Sequence, residues 1–258
     1  MGQRLGQHFL TDPQALGNIV DAVKPAPNDR VLEIGPGRGA LTTRLLQRIP
    51  VLDAVELDQA LALGLQERFG ERLRCHVADC LTFDYVALAR EYGEPLRIVG
   101  NLPYYLSSPL LFRLYAHLEH IEDIHVMVQR EFAERLAARP GSRHYGRLTV
   151  MSAPCVQARI LFHVPPRAFA PPPKVASSFV RLSPLRKPPF PIGDRKRFAA
   201  VVAKAFQQRR KTMRHTFKSM VDAEQLQACG IEPNQRPEEL SAEAFARLAE
   251  LAMLHDEV

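Results

Sequence analysis

Four consecutive residues, Asn101, Leu102, Pro103 and Tyr104, combine the groups that are needed to bind a planar amine. The Asn101 side chain and the Leu102 backbone each carry a carbonyl oxygen that accepts a hydrogen bond from an N–H group. Pro103 restricts the backbone φ and makes the turn rigid, and the Tyr104 ring can stack on a base. The exocyclic nitrogen of adenine fits these groups, which makes the four residues catalytic candidates. The alternative is an ordinary strand-ending turn, because Asn and Pro favour turns.

A glycine-rich segment, Glu-Ile-Gly-Pro-Gly-Arg-Gly at residues 33–39, lies upstream of this turn. It follows an apolar stretch that predicts a strand, and small residues at a strand-to-helix turn let the backbone approach a ligand closely. Gly35 and Gly37 are therefore candidates for binding a nucleoside cofactor. The spacing from Gly35 through Gly37 to Ala40 also matches the dinucleotide-binding fingerprint. The loop alone does not distinguish NAD from S-adenosylmethionine.

Two acidic side chains follow the next predicted strands. Glu56 ends the second strand, where a carboxylate accepts hydrogen bonds from ribose hydroxyls. Asp79 follows the third strand and can accept a hydrogen bond from the amino group of a cofactor adenine. Ligands of doubly wound sheets bind beyond the carboxyl ends of the strands, and Gly35, Glu56, Asp79 and Asn101 all lie at such ends. Because the fourth position carries a turn suited to an amine, the set favours S-adenosylmethionine and predicts a methyltransferase that acts on a base amino group.

Strands and helices alternate along the first two thirds of the chain, which is typical of a mostly parallel sheet with helices on both faces. The predicted strands are residues 31–34, 51–56, 73–77, 96–100 and 124–128. The predicted helices begin with one capped by Asp12 and Pro13, followed by residues 40–48, 60–69, 109–117 and 131–138. Two further β-rich stretches, 156–164 and 176–182, predict an antiparallel edge. The expected fold is therefore α/β, Rossmann-like and doubly wound.

A proline-rich stretch at residues 184–191 separates this pattern from a helical tail. We place a domain boundary near residue 185, since linkers of this composition often separate domains. Residues 1–185 are expected to form the Rossmann-like methyltransferase domain. Residues 186–258 are expected to form a small helical domain that binds RNA and ends in a helix at 242–254.

Positive charge is concentrated in that tail. The net charge of the chain is +6, and residues 195–221 contain nine Lys or Arg and no Asp or Glu. The densest part contains Arg209, Arg210, Lys211 and Arg214. A local block of this kind is typical of a polyanion-binding surface, which makes these four residues candidates for RNA binding. The alternative is a solvated helix face.

The composition excludes several other classes of protein. Hydrophobic residues make up 46% and charged residues 24% of the 258 residues, as in an ordinary globular protein. No run of 18 apolar residues occurs, so no membrane span is expected. The four cysteines form no C-x-x-C pair, which argues against a zinc or redox centre. We therefore expect a cytoplasmic protein that binds no metal.

The chain resembles the ribosomal RNA adenine dimethyltransferases, specifically the bacterial small-subunit enzymes linked to kasugamycin sensitivity. The similarity runs nearly from end to end. Its motifs lie at residues 6–10, 33–42, 56–58, 79, 101–104, 129–131, 145–148, 169–175 and 206–212. The glycine loop is shared by many methyltransferases, whereas the motif at 101–104 and the last three motifs are narrower. Tyr105 departs from the Asn that is associated with this position.

The resemblance implies that S-adenosylmethionine supplies four methyl groups to N6 of two adjacent adenosines in the 3′-terminal hairpin loop of small-subunit 16S rRNA. It also implies which residues line the cofactor site: His8, Leu10, Gly35, Glu56, Asp79 and Asn101. The expected partner is rRNA in a pre-30S particle, and the expected state is a monomer. Two alternatives stay open: a large-subunit rRNA dimethyltransferase, and a ribosome-assembly factor in which methylation is secondary.

Overall fold

The computed structural model of the chain describes residues 8–252, which form two compact units. The first unit contains the described residues up to 133 together with 158–184. The second contains 134–157 and the described residues from 185 onward. Residues 134–157 thus pack with the C-terminal segment, whereas the sequence analysis placed them in the first domain. The assignment of 186–258 as an RNA-binding domain stays a prediction.

The strands of the first unit are β1 (Phe9–Leu10), β2 (Arg30–Ile34), β3 (Leu52–Glu56), β4 (Leu73–Val77), β5 (Leu96–Asn101), β6 (Ile121–Gln129), β7 (Val156–Val164), β8 (Phe169–Ala170) and β9 (Ser177–Pro184). Its helices are α1 (Pro13–Val23), α2 (Ala40–Leu45), α3 (Gln59–Phe69), α4 (Tyr85–Tyr92) and α5 (Ser107–Tyr115). Helix α6 (Arg130–Leu136) and the start of β7 extend across the division. The second unit contains α7 (Arg147–Ser152), α8 (Arg195–Gln207), α9 (Met213–Phe217), α10 (Ala223–Ala228) and α11 (Ala242–Leu251).

Seven strands form one sheet in the order β4-β3-β2-β5-β6-β9-β7. The pairs from β4 to β6 are parallel, and β9 pairs antiparallel with β6. The predicted Rossmann-like sheet with an antiparallel edge is therefore confirmed. The chain runs from β2 outward to β4 and then returns to β5 on the other side of β2. The carboxyl ends of β2 and β5 therefore meet at the topological switch point, where such sheets bind ligands.

Local sequence explains where several helices begin. The Asp12 carboxylate accepts a hydrogen bond from the backbone N–H of Ala15 and caps α1. The prediction started α5 at Pro109, whereas the helix begins at Ser107, because a proline in the first turn removes only an N–H that has no partner within the helix. Helix α4 was not predicted, although Asp84 caps its start and Gly93 its end.

The second unit has a core of its own. The N-terminus of α8 is capped by Asp194, and its apolar face buries Phe198, Val201, Val202 and Ala205. Helix α11 ends at Leu251, and the last residues of the predicted helix 242–254 lie outside the described residues. Across residues 8–252, every helix is too short or too polar to cross a membrane.

Candidate active site

The glycines of the loop between β2 and α2 have different structural roles. Gly35 adopts a φ of +67°, and no described atom lies within 4 Å of the place where a Cβ would be. A Cβ on Gly37 would lie 3.0 Å from the Phe9 ring, and one on Gly39 would lie 2.6 Å from the Leu65 side chain. Gly37 and Gly39 therefore allow close packing within the protein. Gly35 is the glycine that leaves open space for a ligand.

Glu56, at the end of β3, holds the glycine loop in place. Its side chain is 6% exposed. Oε2 accepts a hydrogen bond from the Gly37 backbone N–H at 3.1 Å, and Oε1 accepts one from the Asp58 backbone N–H at 2.9 Å. Because each carboxylate oxygen offers two lone-pair directions, both oxygens retain acceptor capacity toward the pocket. Glu56 thus has a structural role that the sequence did not reveal, in addition to its position as a ligand candidate.

Asp79 lies beyond the carboxyl end of β4 and is half-buried. Its Oδ1 accepts a hydrogen bond from the backbone N–H of Leu81 at 2.8 Å. This bond orients the carboxylate. The pocket that Asp79 lines also contains Gly35 and Glu56. The structure therefore brings together the three strand-end positions that the sequence predicted.

The side-chain amide of Asn101 has a defined orientation at the end of β5. Its Nδ2 donates a hydrogen bond to the backbone carbonyl of His8 at 3.0 Å. A carbonyl only accepts, so the NH₂ group must face His8 and Oδ1 is left for another donor. Leu102 is buried, and its backbone N–H donates to the Met127 carbonyl at 3.3 Å. The turn is thereby tied to β6.

Tyr104 and Tyr105 differ in their surroundings. The Tyr104 hydroxyl forms a hydrogen bond with the Oγ of the buried Ser177 at 2.8 Å, and burial raises the pKa of Tyr104. The Tyr104 ring lies 5.8 Å from the His8 ring, measured between centroids. Tyr105, which departs from the family pattern, is 66% exposed at the rim of the same pocket.

The segment from His8 to Asp12 closes one side of the pocket. Its strand β1 pairs antiparallel with β8. His8 Nδ1 donates to the Pro171 carbonyl at 2.7 Å, and the backbone N–H groups of Thr11 and Asp12 donate to the Ala168 carbonyl. The family motif at residues 169–175 therefore has a physical function, because it anchors the segment that orients Asn101. Residues 6–7 of the N-terminal motif lie outside the described part of the chain.

One pocket in the first unit contains all the predicted residues of the cofactor and acceptor sites. The cofactor candidates are His8, Leu10, Gly35, Gly37, Glu56 and Asp79. The acceptor candidates are Asn101, Leu102, Pro103 and Tyr104. The four basic candidates, Arg209, Arg210, Lys211 and Arg214, belong to the second unit. Arg210, Lys211 and Arg214 are exposed, whereas Arg209 contacts neighbouring protein groups.

Two residues of the pocket were missed by the sequence analysis. Phe9 packs against Gly37, and the Arg38 guanidinium lies over its ring at 4.7 Å from the centroid. Glu33, in β2, is buried and accepts a hydrogen bond from the Thr42 hydroxyl at 2.7 Å. A charged residue within an otherwise apolar strand was the available signal for Glu33. Phe9 belongs to the motif at residues 6–10, but its contact with Gly37 was not predictable, because that contact depends on how the segment folds back.

Comparison with known proteins identifies the family. Residues 2–253 match the profile of the family described as "Ribosomal RNA adenine dimethylase". The chain is 49% identical over 249 residues to "Ribosomal RNA small subunit methyltransferase A" of Methylococcus capsulatus, with 96% of each chain covered. It is 47% identical over 249 residues to the protein of the same name from Pseudomonas aeruginosa, with 96% of this chain and 92% of that protein covered.

Solved structures show the same fold. The crystal structure of the 23S rRNA methyltransferase ErmE has a TM-score of 0.74 and 27% identity, and the match covers 95% of this chain and 99% of that one. A dimethyladenosine transferase from Plasmodium falciparum has a TM-score of 0.79 and 24% identity, with 96% and 100% covered. The second similarity concerns the fold alone.

The sheet order, the pocket at its switch point and these related structures define a Rossmann-like, S-adenosylmethionine-dependent methyltransferase of class I. The chain belongs to the ribosomal RNA adenine dimethylase family. The family that the motifs indicated is thus confirmed.

Glu33 generates a prediction about pH. Burial raises the pKa of its carboxyl to about 7, the Thr42 hydrogen bond opposes this, and the charge of Glu56 adds to it. The folded protein therefore binds the Glu33 proton more tightly than the unfolded chain does. The free energy of unfolding should fall as pH rises from about 5 to about 7, by up to ~1.4 kcal/mol per pH unit for one proton.

The Glu33→Gln variant should lose this decline, as measured by urea unfolding at several pH values across that range. Glu94→Gln, which changes an exposed carboxylate of the same unit, is the matched control and should keep the wild-type profile. An unaltered pH profile in Glu33→Gln would show that Glu33 does not titrate in this window.

Proposed function

We propose that this chain transfers methyl groups from S-adenosylmethionine to N6 of two adjacent adenosines in the 3′-terminal hairpin loop of small-subunit 16S rRNA, which produces N6,N6-dimethyladenosines. The observation that carries this proposal is the oriented amide of Asn101, which lines the pocket. Identities of 47–49% to proteins named small-subunit methyltransferases, against 27% to a 23S enzyme, favour the small subunit.

The glycine loop favours S-adenosylmethionine over a dinucleotide. A dinucleotide fold binds its pyrophosphate through backbone N–H groups of this loop and the following helix. Here the Gly35 N–H donates to the Val55 carbonyl at 2.9 Å, and the Gly39 N–H donates to the Pro36 carbonyl at 2.9 Å. The Gly37 N–H donates to Glu56. All three glycine donors therefore have partners within the protein.

The charge of the pocket supports the same choice. The carboxylates of Glu56 and Asp79 line it, together with the carboxyl of Glu33. Arg38 also lines it, with its guanidinium over the Phe9 ring, so the acidic groups outnumber the basic one. Acidic groups attract a cation and repel a pyrophosphate. S-adenosylmethionine carries a cationic sulfonium, which supplies an electrophilic methyl group.

We assign the cofactor contacts as follows. The Glu56 carboxylate accepts hydrogen bonds from ribose hydroxyls, and the Asp79 carboxylate accepts one from the adenine amino group. Gly35 lets the backbone approach the cofactor closely. His8 and Leu10 close the pocket from the N-terminal segment.

The acceptor turn acts by positioning. The N6 lone pair of adenine is delocalised into the ring, so the nitrogen is a poor nucleophile. Asn101 Oδ1 and the Leu102 carbonyl accept its N–H hydrogen bonds and favour a more pyramidal nitrogen. Tyr104 stacks on the base, and Pro103 keeps the turn rigid. Holding the nitrogen in line with the methyl group lowers the barrier, and the proton leaves afterwards to water.

The substrate must present an accessible adenine. A base reaches such a pocket only after it leaves its stack, and loops lose little stacking energy when this happens. We propose rRNA within a pre-30S particle as the substrate, a monomer as the active form and the cytoplasm as the location. Arg210, Lys211 and Arg214 contribute phosphate contacts. A role as a ribosome-assembly factor is compatible with this activity.

The cofactor assignment predicts that S-adenosylmethionine binds and that NAD does not. Isothermal titration calorimetry with each ligand measures this directly. We expect S-adenosylmethionine rather than NAD to bind because the pocket is acidic and the glycine N–H groups already have partners within the protein. Tight binding of NAD with no binding of S-adenosylmethionine would contradict the methyltransferase proposal.

Asn101→Ala removes the oriented acceptor and should lower the rate of methyl transfer by about 10²–10³. The rate is measured by mass spectrometry of rRNA from pre-30S particles, and cofactor affinity is measured alongside. Asn18→Ala, an exposed position in α1, is the control and should keep the wild-type rate. A near-wild-type rate in Asn101→Ala would refute the role of Asn101. Wild-type product that stops at monomethyladenosine would refute the proposed reaction.

A further inference from the structure

A loop of the second unit carries positive charge that the function described so far does not use. Residues 139–147, which follow α6 and end at the first residue of α7, contain Arg139, Arg143 and Arg147 and no Asp or Glu. All three arginines are exposed. The loop is distant in sequence from the basic block at residues 207–218, which contains five Lys or Arg and again no acidic residue.

The structure places this loop against the basic block. The Arg209 guanidinium donates a hydrogen bond to the Arg143 carbonyl at 2.9 Å, across a sequence separation of 66 residues. The Gly141 N–H donates to the Glu238 carbonyl at 2.7 Å, and the Glu238 carboxylate lies 3.7 Å from Arg209. Beneath the loop, the buried Tyr145 ring lies 6.2 Å from Phe206.

These contacts divide the basic residues into two groups. Arg209 uses its guanidinium within the protein, and its charge is partly balanced by Glu238. Arg210, Lys211 and Arg214 are exposed, as are the three arginines of the loop, of which Arg143 also donates from Nε to His144 Nε2 at 2.6 Å. Arg209 is therefore suited to positioning the loop rather than to binding phosphate.

We propose that residues 139–147 and 207–218 form one composite surface that binds the rRNA phosphate backbone, with Arg209 as the residue that positions the loop. This inference rests on the proposed function, since it takes rRNA as the partner. The exposed cations of the surface are Arg139, Arg143, Arg147, Arg210, Lys211, Arg214 and Lys218.

The chemistry of the surface favours a nucleic-acid backbone over bases or a membrane. Its Tyr and Phe rings, Tyr145 and Phe217, are both buried, so they offer no stacking platform. A membrane surface requires exposed apolar side chains beside the cations. Among the described residues of the second unit, the large apolar side chain that is exposed is Leu251, at the end of α11. Lys and Arg that contact phosphate give salt-dependent binding with little sequence selectivity.

The loop variant Arg139→Ala/Arg143→Ala/Arg147→Ala tests the proposal. Affinity for pre-30S particles is measured over a range of salt concentrations. The slope of log K against log salt should become shallower by ~0.7–0.9 for each phosphate contact that is lost. The block variant Arg210→Ala/Lys211→Ala/Arg214→Ala should show a similar decrease in the slope of log K against log salt.

The matched control is Arg195→Ala/Lys196→Ala/Arg197→Ala. These exposed residues lie at the first turn of α8, whereas the composite surface adjoins its last turn, about 15–20 Å away for a helix of this length. The control removes the same charge and should leave the salt slope unchanged. An equal loss of affinity and salt slope in the control would show that binding is not localised to residues 139–147 and 207–218. A wild-type affinity and slope in the loop variant would overturn the part played by residues 139–147.

Two further measurements separate the remaining explanations. Hydrogen exchange in residues 139–147 should increase in Arg209→Ala and stay unchanged in Arg210→Ala, and equal exchange in both would refute the positioning role. Phosphatidylserine vesicles serve as a second probe. Vesicle binding that is lost in the loop variant while RNA binding persists would assign the surface to a membrane. If the wild type methylates rRNA and the loop variant binds normally, this inference fails while the proposed function stands.

Discussion

The hydrogen bond from Asn101 Nδ2 to the His8 carbonyl is the constraint on which the site depends. It leaves Oδ1 to accept a hydrogen bond from another donor, because the NH₂ group of the amide is turned toward His8. His8 is itself held by the Pro171 carbonyl. Three distant parts of the chain therefore cooperate to orient one oxygen atom. This orientation is present before the substrate binds. Positioning the reacting groups in advance lowers the barrier to methyl transfer.

The second feature of the site is its concentration of carboxyl groups. Glu56 satisfies the Gly37 N–H and so holds the glycine loop. Glu33 lies in the same buried region. Its pKa is raised to about 7, and burial is the largest cause of this shift. Like charges at short range destabilise the folded chain unless one is protonated or a cation is bound. A cationic cofactor therefore fits these carboxyl groups. The glycine loop leaves room for a ligand, whereas its glycine N–H groups are bonded within the protein and are not offered to a phosphate.

Much of this site could be predicted from sequence because the carboxyl ends of parallel strands share one edge. Gly35, Glu56, Asp79 and Asn101 follow successive strands, so their proximity follows from the fold class. Phe9 and Ser177 could not be predicted in the same way, since their contacts arise where distant segments fold back onto the turn. The role of Arg209 was also hidden, because a charge pattern does not show which cation is used within the protein.

The proposed role of Asn101 is tested most directly by a crystal structure with S-adenosylmethionine and an adenosine of the target loop bound. In that structure Asn101 Oδ1 should lie about 2.7–3.2 Å from the adenine N6, with Nδ2 still bonded to the His8 carbonyl. Tyr104 should stack on the same base. An adenine whose N6 faces away from Asn101, or an Asn101 amide released from His8, would contradict this role.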